Sequence, residues 1–268
     1  MSSPERTTSN SGFSRRVQQC FGRQAPHYER HARLQAAIAW RLARHCRELP
    51  LADGPRADLG SGTGLLARGL ETQWARAGQP PALPPVWRLD HCPELLAEER
   101  LQQGPAPQLT WDLNKGLPPE LQGASLLASN FALQWLEEPA AKLQQWCAQL
   151  RPGGWLALAV PTNGSFAAWR QAAAQANVPF TGLALPSATA LEQVGRQQLQ
   201  LRLCRRLCFS RSSDDPTSLL HQIRATGAQA SRHRPLRPGE LRRLLLHWPN
   251  TGACPLEWEV LLLLGQKA

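Results

Sequence analysis

A chain of 268 residues, 42% of them hydrophobic and 19% charged, is long enough to bury a substantial core and too apolar to be disordered over most of its length. Its seven cysteines are scattered and include no CxxC pair, which argues against a disulfide framework or a metal site and makes reduced thiols the expectation. The net charge of +10 is uneven: residues 1–47 carry +7 and residues 196–243 carry +8, around a middle section, 48–195, of −4. Basic flanks suit nucleic acid, an anionic lipid surface or an acidic protein, and a solvated surface in a chain with 27 Arg and three Lys accounts for them equally well. No apolar run approaches the ~20 residues of a bilayer span, and Met1 to Gly12 lacks the apolar stretch of a signal peptide. A soluble, cytoplasmic protein is expected, with residues 1–12 as a flexible tail.

Residues 13–48 carry helical apolar spacing at Val17, Phe21, Leu34, Ile38 and Leu42, which predicts one or two helices broken near Pro26. Residues 56–61 predict a strand ending in a glycine turn, and Thr63 to Gln73 the helix that follows. A strand at Val86 to Asp90 leads to a helix from Pro93 to Gln103, and a short strand fits around Leu109 to Asp112. Ser125 to Asn130 predicts a buried strand, and Pro139 to Leu150 a helix stopped by Arg151-Pro152-Gly153-Gly154. Trp155 to Val160 is a further strand. A strand at Leu199 to Ser210, a helix at Pro216 to Thr226 and a last strand at Leu256 to Leu264 complete the pattern. Strands alternating with helices predict a parallel α/β sheet in one domain, 13–268, with residues 13–48 as a helical cap and 49–268 as the core.

The strongest local signal is Asp58-Leu59-Gly60-Ser61-Gly62-Thr63-Gly64 at a strand-to-helix turn. Glycines there let the backbone approach a ligand where a Cβ would collide, and the new helix presents unpaired N–H groups. Leu65 occupies the last position of the G-x-G-x-x-G dinucleotide fingerprint, so that fingerprint is absent. Asp90 closes the second strand, where a carboxylate can accept both ribose hydroxyls of an adenosine or cap the helix after Pro93. Asp112 is expected to close the third strand and take an adenine amino group, with the Leu113 amide beside it, or simply to form a turn before Asn114. Asn130 ends the fourth strand. Tyr28 is the sole tyrosine of a chain with ten Trp, which suggests a use for its hydroxyl beyond packing.

The G-x-G-x-G turn after an acidic residue resembles motif I of class I S-adenosylmethionine methyltransferases. The resemblance narrows with Phe21-Gly22-Arg23-Gln24-Ala25-Pro26-His27-Tyr28-Glu29-Arg30-His31-Ala32 followed by Leu34-Gln35. It continues at Ser129-Asn130 before Ala132-Leu133-Gln134-Trp135, at Gly164-Ser165-Phe166, at Ile223-Arg224-Ala225-Thr226-Gly227-Ala228, and at Leu246-His247-Trp248-Pro249 with Pro255-Leu256-Glu257-Trp258-Glu259. Together these segments are similar to the malonyl-[acyl-carrier protein] O-methyltransferase family of biotin synthesis, in order, from about residue 13 to 265. The chain departs from that pattern at Ser61, where a cysteine is common, at Asn177-Val178-Pro179-Phe180, where Asn-Arg-Phe is usual, and at Trp258, where Tyr is common.

The resemblance implies a Rossmann-like seven-stranded, mostly parallel sheet and methyl transfer from S-adenosylmethionine to the free carboxylate of a malonyl thioester on an acyl carrier protein. It implies a cofactor site at Asp58, Gly60, Ser61, Gly62, Gly64, Asp90, Asp112, Leu113 and Asn130, without a metal. Tyr28 is the first candidate to hold the carboxylate. Arg170, in the helix after Gly164-Ser165, is the second, and an ordinary surface role fits it as well. Carrier proteins of this kind are acidic, so the Arg-rich flanks, with Arg15, Arg16, Arg23, Arg232, Arg234 and Arg237, offer a surface of matching sign. A nucleic-acid methyltransferase is disfavoured, because the fourth strand ends without Pro-Pro-aromatic, Cys147 falls on a helix and Lys is scarce. Another small-carboxylate methyltransferase and a binding module with a decayed cofactor site are the remaining alternatives.

Overall fold

The computed structural model describes residues 10–78, 85–103, 106–213, 215–249 and 254–268. Within them run strands β1 Arg56–Leu59, β2 Trp87–Asp90, β3 Gln108–Thr110, β4 Ala124–Asn130, β5 Leu150–Pro161, β6 Gln200–Ser213 and β7 Cys254–Gln266. They make a seven-stranded sheet in the order β3-β2-β1-β4-β5-β7-β6. The pairs from β3 to β5 are parallel, and β7 runs antiparallel to both β5 and β6. This is the mostly parallel, seven-stranded class I methyltransferase fold that the resemblance implies.

The N-terminal segment folds as α1 Asn10–Gln24, a 3-10 turn Ala25–His27, α2 Tyr28–His31 and α3 Arg33–His45, with the expected break at Pro26. Helix α1 begins within the stretch expected to be a tail; residues 1–9 lie outside the described residues. Helices α4 Leu65–Arg76, α5 Pro93–Gln103 and α6 Pro139–Gln149 cross between the parallel strands. Alternation along the strands sends Leu126, Ala128, Ala157 and Leu262 to one face, under Ile38 and Leu42 of α3 and Leu66 and Leu70 of α4. Leu127, Leu156, Leu158 and Leu263 meet Leu143 and Trp146 of α6 on the other, with Leu191 of α8 Ala188–Gln198. Each fully buried Leu contributes roughly 1.5–3 kcal/mol relative to exposure.

Several boundaries differ from expectation for identifiable reasons. Strand β1 stops at Leu59 because the Gly60 and Ser61 amides both turn to the Leu89 carbonyl, at 2.8 and 2.9 Å. Strand β3 ends at Thr110, so Asp112 lies beyond it and caps a 3-10 turn by accepting from the Asn114 amide at 3.0 Å. Arg151-Pro152-Gly153-Gly154 stops α6 as expected, yet it belongs to β5, which pairs irregularly with β4 between Ala124 and Leu126. Gly154 is required there, since a Cβ would sit 2.7 Å from the Ala124 carbonyl oxygen. Helix α7 Ala167–Gln175, α9 Pro216–Ala225 and the unanticipated α10 Pro238–Leu246 share a further apolar cluster around Phe166, Trp169, Leu219, Leu244 and Trp248.

Candidate active site

Two neighbouring cavities open above the carboxyl ends of the parallel strands. The first is lined by Asp58, Gly60, Ser61, Gly62, Asp90, Asp112, Leu113 and Asn130, with Tyr28 on its cap side. The second, of about 630 Å³, lies between the cap and helices α7, α9 and α10. Phe21, Tyr28, Phe131 and Trp135 line both cavities and form an aromatic partition between them. Phe21 meets Tyr28 and Trp135 edge-on, with ring centroids 6.2 and 5.4 Å away. Phe131 is held at φ 57°, an uncommon conformation for a bulky residue, while its amide donates to the Ala159 carbonyl at 2.9 Å.

The floor of the first cavity follows from the glycine turn. Gly60, Gly62 and Gly64 all have positive φ, near 69°, 56° and 78°. A Cβ on Gly60 would collide with Ala132, and one on Gly64 with the buried Glu99 carboxylate. Gly64 therefore serves the packing beneath the loop and does not itself line the cavity. At Gly62 the nearest atom to such a Cβ is 3.9 Å away, so a side chain there would project into open space, against a backbone conformation suited to glycine. The Gly62 and Cys92 amides both donate to Asp90, at 2.8 Å each, and fasten the loop to the end of β2. Burial raises the Asp90 carboxyl above its ordinary pKa, with these two bonds opposing the rise.

Asp58 is 1% exposed, and one of its oxygens accepts from the Ala67 amide at 3.0 Å. Burial pushes it up to about 7, with the Ala67 bond and Arg88 opposing, and Glu99 and Asp90 adding to the rise. Among the described residues its other oxygen has no hydrogen-bond partner, nor have Ser61 Oγ and the Asn130 side-chain oxygen. Three buried polar atoms unsatisfied in one cavity wall mark a place where a polar ligand completes the hydrogen bonding.

The cap is tied down at several points. Ser14 Oγ lies 3.3 Å from His91 Nδ1, and Arg16 donates to the Ser231 carbonyl at 3.2 Å. Glu29, beside Tyr28, pairs with Arg68 of α4 at 2.6 Å, and Arg68 also donates to the Thr63 carbonyl in the glycine turn. Burial, then the charges of Asp90, Glu29 and Asp58, drives the Tyr28 pKa far upward, so its hydroxyl keeps its proton at neutral pH.

Arg170 does not reach either cavity: it donates to the Asn163 carbonyl at 2.9 Å and lies 5.9 Å from the Phe180 ring centroid. In its place Arg16 and Arg224 line the second cavity. The two basic flanks come together where Arg16 donates to the Ser231 carbonyl, and Arg16, Arg23 and Arg224 are all close enough to oppose the burial that raises the Cys20 thiol pKa. The flanks also meet through Arg41 and Arg44 with Arg202 and Arg205, which act together on His45. Of the other flank residues singled out, Arg15 is exposed, Arg232 stacks over Phe13, Arg234 pairs with Glu240 at 2.6 Å, and Arg237 caps α10. Phe131, Trp135 and Arg224 stand out in the sequence only as members of the family-like segments, and Phe21 also as part of a helical apolar face; nothing in their spacing marks them as cavity walls.

No protein-family model matches the sequence. The chain is 31% identical over 255 residues to a malonyl-[acyl-carrier protein] O-methyltransferase from Enterobacter lignolyticus, covering 91% of this chain and 94% of that protein. The chain belongs to the malonyl-[acyl-carrier protein] O-methyltransferase family. It is also 32% identical over 249 residues to the biotin biosynthesis bifunctional protein BioCD of Bordetella avium; the match covers 90% of this chain and half (50%) of the bifunctional protein. A Bacillus halodurans protein thought to be a methyltransferase shares the fold, with a TM-score of 0.55 at 13% identity over 84% of this chain and 98% of that one. For a methyltransferase of this family, the cavity wall with unsatisfied Asp58, Ser61 and Asn130 atoms fits a polar, cationic cofactor with an amino acid portion. Among the described residues, no His, Cys, Asp and Glu cluster is placed to hold a metal, and no helix is long and apolar enough to cross a membrane.

Proposed function

We propose that this protein transfers a methyl group from S-adenosylmethionine to the free carboxylate of a malonyl thioester carried on an acyl carrier protein, giving the methyl ester used in biotin synthesis. The observation that carries this reading is the aromatic partition, in which Tyr28 faces the cofactor cavity on one side and the larger cavity on the other. Asp58, Ser61, Asp90 and Asn130 would hold the cofactor, with Asp112 and Leu113 at its adenine end and Gly60 and Gly62 giving it room. Bound there, the cofactor supplies an electrophilic methyl group.

A carboxylate is already ionised at neutral pH, so the chain need not provide a general base. Its work is alignment and the exclusion of water. Residues 10–45 act as the lid of a single methyltransferase domain, and Tyr28, protonated because it is buried, donates to the substrate carboxylate. The Arg16 and Arg224 side chains at the second cavity suit an acidic carrier, with no role for nucleic acid or membrane. The described cysteines 20, 46, 92, 147, 204 and 208 are free thiols, which agrees with a reducing, cytoplasmic setting.

Purified protein with labelled S-adenosylmethionine is offered malonyl-carrier, malonyl-coenzyme A and bulk RNA. Methyl ester on the malonyl group with none on RNA is expected. Label in RNA, or in none of the three, would overturn the reading.

A further inference from the structure

We infer that Gln35 is a second hydrogen-bond donor to the malonyl carboxylate, acting beside Tyr28; the inference rests on the function proposed above. Gln35 lies in the first turn of α3, is 9% exposed and lines the second cavity. Its backbone carbonyl accepts from the Asn130 amide nitrogen at 3.1 Å, which fixes it to the end of β4, beside the wall shared by the two cavities. Among the described residues, its own side-chain amide has no hydrogen-bond partner. The residue is buried but its amide is open to the cavity, where it can donate to a polar substrate.

Several other polar groups of this cavity are less suited to the role. Arg16, His221, Arg224, His233 and Arg234 are all exposed, and so belong to its mouth. The buried Gln134 commits one amide N–H to the Phe131 carbonyl at 2.6 Å, and its side-chain oxygen, which has no partner among the described residues, would repel a carboxylate. Gln35 and Tyr28 are the donors beside the aromatic partition, while the buried Trp169 Nε1, also without a partner among the described residues, belongs to the α7 wall. Gln35 and Tyr28 are both neutral, and the chemistry favours that. A carboxylate attacking a sulfonium loses charge as the bond forms, so a cation at the inner end would stabilise the starting state more than the transition state. Two neutral donors orient the carboxylate and leave it reactive.

The test compares wild type, Gln35→Met and Gln35→Glu for binding of malonyl-coenzyme A and of its methyl ester, read by quenching of tryptophan fluorescence. Wild type should prefer the free acid. Gln35→Met should lose that preference by about tenfold, the size of one hydrogen bond to a charged group, with affinity for the ester unchanged. Gln35→Glu should reverse it by like-charge repulsion. Equal loss on both ligands, or a preference that survives in either variant or is absent from wild type, would overturn the assignment. Methyl transfer by the wild type is scored separately. Transfer to malonyl thioester with an intact preference in the variants removes Gln35 and leaves the proposed function standing. A preference that the variants abolish, in a wild type that transfers no methyl group, keeps the Gln35 contact and removes the function.

Discussion

The Gly62 amide donates to Asp90 at 2.8 Å, so a carboxylate at the end of β2 holds the glycine turn that follows β1. In the proposed function Asp90 would act on the cofactor site twice, by shaping the loop and by offering lone pairs that remain after the Gly62 and Cys92 bonds. Asp90→Ala should weaken S-adenosylmethionine binding by tenfold or more, since a hydrogen bond to a charged group is worth roughly 1.5–3 kcal/mol. Asp90→Asn retains one acceptor for the loop and should fall between the two. Calorimetric titration of the folded variants checks this, and unchanged affinity in Asp90→Ala would remove the residue from the site.

Asp58 makes cofactor binding depend on pH. Burial raises it from 3.8 to about 7, so the folded, unliganded protein keeps a proton that the unfolded chain releases. The stability this contributes is complete below about pH 4 and is lost as pH rises through about 7. Binding runs the other way, because a cationic ligand favours the ionised carboxylate. Affinity should fall up to about tenfold per pH unit below 7. Asp58→Asn should flatten both profiles, and a wild-type affinity that is level between about pH 6 and 8 would contradict the assignment.

Tyr28→Phe keeps the ring in the aromatic partition and removes only the hydroxyl. Cofactor affinity and melting temperature should stay nearly unchanged, while methyl transfer falls on the order of 10–100-fold. A structural tyrosine would give the opposite pattern, with normal turnover and a lower melting temperature.

The glycine turn, the place of Asp90 and the positions of the main strands along the chain are legible because each depends on short-range chemistry: positive φ, strand-end carboxylates and short continuous apolar runs. Asp112 was placed on the right wall for a partly wrong reason, since β3 stops two residues before it and the aspartate caps a turn. Helix α8 is hard to read because its apolar positions are sparse, and α10 because only one of its four leucines is buried. Leu191 alone anchors much of α8, and Leu244 is the buried residue of α10. Arg170 shows the limit most clearly. It was chosen by its distance from a glycine in sequence, but the side of α7 that faces inward is set by Trp169, Ala172 and Ala173, and Arg170 is turned toward Asn163. Gln35 and Arg224 reach the second cavity only through the packing of α3 and α9, which no local pattern encodes.

The exposed arginines at the second cavity are expected to make the carrier reaction sensitive to salt. Raising ionic strength from ~0.05 to ~0.5 M should slow transfer to malonyl-carrier more than to malonyl-coenzyme A, because screening acts over ~10 Å at 0.1 M and the carrier presents the larger charged surface. Arg16→Glu with Arg224→Glu should reproduce the effect at low salt. Equal salt sensitivity for both thioesters would leave these arginines as solvated surface.

Glu29 and Arg68 connect the segment carrying Tyr28 to the glycine turn, because Arg68 also bonds the Thr63 carbonyl. Their side chains are 31% and 19% exposed, so the pair itself contributes no more than about 1 kcal/mol to folding. Its value lies in holding α2 at the right height over the cofactor. Glu29→Ala and Arg68→Met should each slow methyl transfer several-fold while shifting the melting temperature little, and the double variant should be no slower than the worse single one, since both remove one tie. Cofactor affinity should suffer more in Arg68→Met, which also releases Thr63, than in Glu29→Ala. Strictly additive losses in the double variant would mean that the two residues act separately, and that Tyr28 is positioned by the aromatic partition alone.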